Sequence, residues 1–151
     1  MTQRSFSADL SKFGVTVDKR CTKLIRQLAL ETLDSFHKLN PACSGWSRAS
    51  WQVTLNAPGT GVWSRQGGWV AGNSWKDNKP PMYAAIPWPD QKEKLRALTW
   101  KDKVYFTNHV PYINSNTPWG QASVEQRYGV MAKTMAEARA NLATLALSMA
   151  K

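Results

Sequence analysis

Apolar residues recur along the first quarter of the chain with the spacing of a helix face. Within residues 7–39, Val17, Cys21, Leu24 and Leu28 form one series and Ile25, Leu28, Phe36 and Leu39 a second. Steps of three and four bring side chains to one side of a helix, so the pattern predicts one long helix with Gly14 as its weak point. Asn40-Pro41 ends it, because the residue before a proline is pushed out of the helical region. Lys19, Lys23 and Arg26 follow the same spacing on another side and form a basic stripe, as the solvated face of an amphipathic helix does.

Residues 48–56 read RASWQVTLN, in which Ala49, Trp51, Val53 and Leu55 alternate with Ser50, Gln52, Thr54 and Asn56. The alternation predicts a strand with one apolar and one polar face. Residues 57–81 hold five of the nine glycines and three of the eight prolines and carry no strong periodicity. Such a composition does not build a core by itself, yet Trp63, Trp69 and Trp75 argue against plain disorder. An extended hairpin or arm that docks on another chain fits both facts.

Beyond a short apolar run at residues 82–86 and the turn-rich Pro87-Trp88-Pro89, residues 90–98 read as a brief helix with Asp90 as its cap. Residues 103–107, KVYFT, predict a second strand, and residues 108–120, rich in Asn and Pro, an ordered loop. The last element is the most regular: Met131, Met135, Ala138, Leu142, Leu145 and Met149 step by four, three, four, three and four. They predict a helix with one apolar stripe, its Met and Leu side chains filling the core. With no internal repeat, low-complexity tract or linker, residues 1–151 read as a single α+β domain. Two long helices pack on a small antiparallel sheet, and residues 57–81 form the arm.

Composition changes this picture in one respect. The 151 residues include 20 Lys plus Arg and 10 Asp plus Glu, a formal net charge of +10, which favours a polyanionic or acidic partner. The two cysteines, Cys21 and Cys43, cannot make a four-thiolate zinc site and form no CxxC pair, so they read as reduced thiols of a protein made in the cytoplasm. No N-terminal apolar run suits a secretory signal, and no later run approaches bilayer length; the expectation is a protein without a membrane partner.

Candidate chemistry is sparse. No phosphate-binding GxxxxGK loop, GxSxG elbow or HExxH pair is present, and GTGVWS at residues 59–64 lacks the third glycine of a dinucleotide fingerprint. His37 and His109 have no second ligand at metal spacing. His37 suits a helix C-terminus, and His109, in NHVPY, would act as a base only with a partner brought by the fold. Nothing near Cys43 would lower its pKa. These features predict a protein that is not an enzyme and needs no cofactor or metal. Basic and aromatic residues do interleave, at Trp63-Ser64-Arg65, Trp75-Lys76 and Trp100-Lys101, as a base-stacking surface requires. Tryptophan is also a common anchor of protein interfaces, and Trp63, Trp69 and Trp75 are read chiefly in that role.

Three stretches, in order, resemble the neck and tail-completion family of long-tailed bacteriophages, small virion proteins that join the portal complex to the tail. PACSGWSRASW, residues 41–51, is similar to a Pro, Thr-Gly, Arg-x-Ser-Trp lead into the first strand, with Ser44-Gly45 at the Thr-Gly place and Arg48, Ser50 and Trp51 matching. VYFTNHVPYINS, residues 104–115, is similar to a strand ending in Asn-x-x-Pro-Tyr through Asn108, Pro111 and Tyr112. Residues 119–139 resemble a glycine-serine segment leading into a final helix through Gly120, Ser123, Gly129 and Val130. Trp119 stands where the family often has an acidic residue, and Cys43 where it often has Asp.

The resemblance implies a homo-oligomeric ring, most plausibly six-fold, in the virion neck or at the tail terminus, assembled in the host cytoplasm. Its partners would be a head-closure or connector protein and the tail tube or tail-terminator protein, with genomic DNA in the lumen. In that setting Trp63, Trp69 and Trp75 would anchor the arm in partner grooves, and Arg65, Lys76 and Lys79 would contact DNA or an acidic partner. The alternative reading is a basic single-strand nucleic-acid-binding protein that uses the Trp-Arg and Trp-Lys pairs.

Overall fold

The computed structural model describes residues 3–40, 46–63, 69–71, 88–110, 112–113 and 123–149. Helix α1 spans Gln3–Leu39 and passes through Gly14 without a break. Its 37 residues make a rod of roughly 55 Å at 1.5 Å per residue. A short helix α2, Trp46–Ala49, leads into strand β1, Gln52–Leu55. The hairpin strands β2, Gly61–Trp63, and β3, Trp69–Ala71, follow. Helix α3, Trp88–Lys94, runs into a 3-10 turn at Leu95–Ala97 and is succeeded by strand β4, Val104–Thr107. Helices α4, Val124–Tyr128, and α5, Val130–Met149, complete the order.

The architecture is α+β. Strands β1 and β4 pair antiparallel, with Gln52 opposite Thr107 and Leu55 opposite Val104. The second pair, β2 with β3, puts Trp63 opposite Trp69, so the residues 57–81 expected to extend as an arm begin as an antiparallel hairpin. Its base is not independent of the body. Val62 is fully buried against Trp46 and Val110 in a small core cluster, so a segment whose composition does not build a core by itself contributes to that of the body.

Two larger clusters lie along α1. Ala29 and Leu33 pack with Val53, Leu95 and Leu98, while Phe36 packs with Trp51, Ile113, Val124 and Val130. Phe36 and Trp51 stack with ring centroids 3.9 Å apart and planes 23° apart. A stacked aromatic pair adds about 0.5–1.5 kcal/mol to the area it buries.

Several expected boundaries move. Residues 48–49 belong to α2 rather than to a strand, since Ser50 N donates to Trp46 O at 2.9 Å and closes a helical turn. The polar face of β1 is covered too: Gln52 is buried and donates through Nε2 to Gly61 O at 2.7 Å. Helix α3 begins with Trp88, so Asp90 lies in its first turn and is not its cap. Pro89 fits there because first-turn amides need no intrahelical partner.

The facing stripe of α5 is also rotated from the expected one. Val130 and Thr134 are buried, and Met131, Ala138, Asn141 and Leu145 half-buried, whereas Met135 and Leu142 are 48% and 42% exposed. The covered face therefore runs through Val130, Thr134, Ala138, Asn141 and Leu145, and Met135 and Leu142 lie outside it.

Candidate functional site

Five of the residues that carry the resemblance, Arg48, Ser50, Trp51, Asn108 and Tyr112, lie at one joint at the C-terminal end of α1. Asn40 is fully buried there. Its Oδ1 accepts from Ser47 Oγ at 3.1 Å and from Trp51 Nε1 at 3.0 Å. Its backbone carbonyl accepts both Nε and Nη2 of Arg48, at 3.1 and 2.8 Å. Helices leave their last carbonyls without intrahelical partners, and the forked guanidinium meets that need at the point where Pro41 prevents another turn. Asn108, just past β4, donates to Ser47 O at 2.7 Å and accepts from Val110 N at 3.1 Å. Tyr112 lies edge-on to Trp46, centroids 5.9 Å apart.

The same joint hangs the hairpin on the body. Ser50 Oγ accepts from Trp63 N at 3.1 Å, and Trp46 Nε1 donates to Trp63 O at 2.9 Å. Both backbone groups of Trp63 are thereby occupied, while its ring meets Trp69 edge to face at 5.4 Å and Lys94 Nζ stands 6.0 Å from the Trp69 ring. Both indoles remain half-exposed. Sequence reasoning singled out Arg48, Ser50, Trp51, Asn108 and Tyr112 but missed Asn40 and Trp46, which organise them. The available signal was an Asn at a helix stop, a place where its side chain can bond locally.

Gly129 has a local role. It takes the left-handed conformation at φ 59° and ends α4, its N–H donating to Glu125 O. Ser123 begins that helix with a reciprocal capping box to Gln126. Glu125 then caps the next helix: its carboxylate accepts from Met131 N at 2.7 Å and Ala132 N at 3.1 Å, a favourable place for negative charge at a helix N-terminus. The predicted positions Gly45, Arg65, Trp75, Lys76, Lys79, Pro111 and Gly120, together with Cys43, lie outside the described residues.

His109 is exposed and its Nε2 is bonded to Gly59 O at 2.7 Å. Burial lowers the His37 pKa, Arg48 lowers it further, and Asp34 opposes the shift. Among the described residues no cluster of three His, Cys, Asp or Glu side chains suits a metal, and no helix is long and apolar enough to cross a membrane.

Among the described residues, the first half of α1 carries an uncovered apolar face. Every side chain described from Ser7 to Arg20 is exposed, and among them Leu10, Phe13 and Val17 are 54%, 68% and 39% accessible. At 100° per residue these three share one stripe with Leu24, Leu28 and Ser35. Helix α5 lies on the lower part of that stripe, where Ser35 donates to Glu137 at 2.6 Å. Above it the stripe runs on bare for about four turns of helix. Compared with known proteins, the chain matches no family model, no curated protein and no solved structure.

Proposed function

We propose that this protein is a structural subunit of the head-to-tail junction of a long-tailed bacteriophage, working as a homo-oligomeric ring between the head-closure complex and the tail. The observation that carries the reading is the bare stripe of α1. An isolated helix of that length gains little in water without tertiary packing, and exposed Leu10, Phe13 and Val17 add an unfavourable apolar surface. Helix α5 covers the continuation of the same stripe within the chain, so a helix from a second copy is the natural cover for the rest. A head-to-tail contact of this kind closes into a ring when the rotation between copies allows it. The joint of Arg48, Ser50, Trp51, Asn108 and Tyr112 supports the family reading, and the half-exposed Trp63 and Trp69 are candidates for the contact with the next ring.

The test is the mass of the full chain in solution, by light scattering and native mass spectrometry, across protein and salt concentration. The expected result is one closed oligomer, six-fold, that persists as salt rises because its contact is apolar. The variant L10Q/F13Q/V17Q keeps good helix formers in α1 and should be monomeric with an unchanged body. A full chain that stays monomeric at every concentration, or a variant that assembles as well as the parent, overturns the ring. Absence of the protein from purified particles of the phage that encodes it overturns the junction role.

A further inference from the structure

The basic stripe of α1 and the Trp100-Lys101 pair are about eighty residues apart in the sequence, and the fold brings them together. A groove of ≈ 600 Å³ runs between α1 and the turn before β4, lined by Asp18, Lys19, Lys23, Arg26, Trp100 and Lys101 among others. The turn is rigidly built. Asp102 accepts from Thr99 N and Oγ1, both at 2.7 Å, and from Asn56 Nδ2 at 2.8 Å. Asn56 in turn bonds Lys103 N through its side chain at 3.0 Å. The turn is also pinned to α1: Trp100 Nε1 donates to Asp18 at 3.0 Å, and Arg26 Nε donates to Leu98 O at 2.7 Å.

These bonds fix the indole of Trp100 at the rim, 45% exposed. Lys101 Nζ stands 5.5 Å from its ring centroid. The groove thus carries four cations against one carboxylate, and that carboxylate is engaged by the indole. Among the described residues neither Lys19, Lys23 nor Lys101 belongs to an ion pair. On the helical wheel Lys19 lies across α1 from Leu10, Phe13 and Val17 and Lys23 about 80° or more round from them, so assembly along the apolar stripe would leave the groove open.

We propose that this groove binds single-stranded nucleic acid, with a base stacked on Trp100 and successive phosphates held by Lys19, Lys23, Arg26 and Lys101. An ordered, half-exposed aromatic beside a track of unpaired cations is the combination that single-strand binding uses. A volume of this size lies in the range of small-ligand clefts, and the lysines continue along the helix. A site for an acidic protein face would need the cations but not the bare indole, and a duplex would offer no unstacked base to it. The inference does not rest on the ring, since a monomer presents the same groove.

Fluorescence anisotropy of a labelled oligo(dT) against the full chain tests it. Binding should weaken with salt at a log-log slope near −2.8 for four phosphate contacts at about −0.7 each. K19Q/K23Q should flatten the slope by about 1.4, whereas K38Q/K133Q, with the same loss of charge at exposed positions outside the groove, should leave it nearly unchanged. W100A should lose about 5- to 150-fold in affinity, and W100F should recover most of it. Equal binding of a duplex of the same length, displacement by polyglutamate as effective as by oligo(dT), or equal effects of the two lysine pairs would overturn the proposal. The first would point to backbone contacts only, the second to an acidic protein partner and the third to net charge alone.

Discussion

Replacing Asn40 by Ala removes the acceptor on which the joint is built. The side chain is fully buried, and Oδ1 receives two donors, Ser47 Oγ and Trp51 Nε1. The Arg48 bonds survive, because they run to the Asn40 backbone carbonyl. A buried donor left without a partner costs about 1–3 kcal/mol. Ser47 can rotate its hydroxyl toward another acceptor, but the indole N–H of Trp51 cannot move without breaking its stack on Phe36. The expected loss is therefore about 2–4 kcal/mol, a large part of the stability of a domain this size.

Urea unfolding followed by tryptophan fluorescence, at fixed protein concentration, reads the effect. With a slope of about 2 kcal/mol per molar, the midpoint should fall by about 1–2 M. A double-mutant cycle with Trp51→Phe separates the hydrogen bond from the packing change, since the phenylalanine keeps a ring on Phe36 and lacks the donor. The two substitutions should couple by about 1–2 kcal/mol. A loss below about 0.5 kcal/mol for N40A, or strict additivity in the cycle, would refute the account of Asn40 as the hub.

Other sites give sharper single readings. Gly129→Ala places a side chain at φ 59° and should lower stability by about 1–2 kcal/mol in the same urea assay, with Gly129→Asn less costly because Asn tolerates that region. Thr134 is fully buried in the contact between α1 and α5 and its hydroxyl has no hydrogen-bond partner among the described residues; Thr134→Val should raise the midpoint, by about 1 kcal/mol in stability. His37 has its folded pKa lowered, chiefly by burial and then by Arg48, so between the folded and unfolded values the unfolded chain binds the additional proton. Its contribution is full above about pH 6.5 and is lost as pH falls through the folded value; His37→Gln should flatten the pH dependence of the urea midpoint just below pH 6.5.

Much of the fold is legible because it is local. The helix of α1 follows from apolar steps of three and four, its end from Asn40-Pro41, and α5 from the same periodicity near the C-terminus. The β1 and β4 segments stand out through alternating and β-branched or aromatic residues. Boundaries shift where tertiary bonds decide them: residues 48–49 join a helical turn because Trp46 and Ala49 are both buried, and β1 loses its expected solvent face because Gly61 accepts the Gln52 carboxamide. An added Cβ at Gly59 would run into that Gln52 side chain, a constraint between positions that no local pattern encodes.

What the sequence by itself determined was therefore the set of elements, their amphipathic stripes and the excess of positive charge, all of which depend on residues within a few turns of one another. Which side of α5 faces the body was decided by packing, with Val130, Thr134, Ala138, Asn141 and Leu145 covered and Met135 and Leu142 left exposed. The hub at Asn40 depended on Ser47 and Trp51 reaching one buried acceptor, with Asn108 bonded to Ser47 and Phe36 stacked on Trp51. The basic groove depended on Asn56 donating to Asp102, which builds the turn, and on Trp100 donating to Asp18, which holds the indole against a helix about eighty residues away. Periodicity encodes which face of an element is apolar; only packing decides what that face meets, because the choice is settled by volumes and donors contributed from distant parts of the chain.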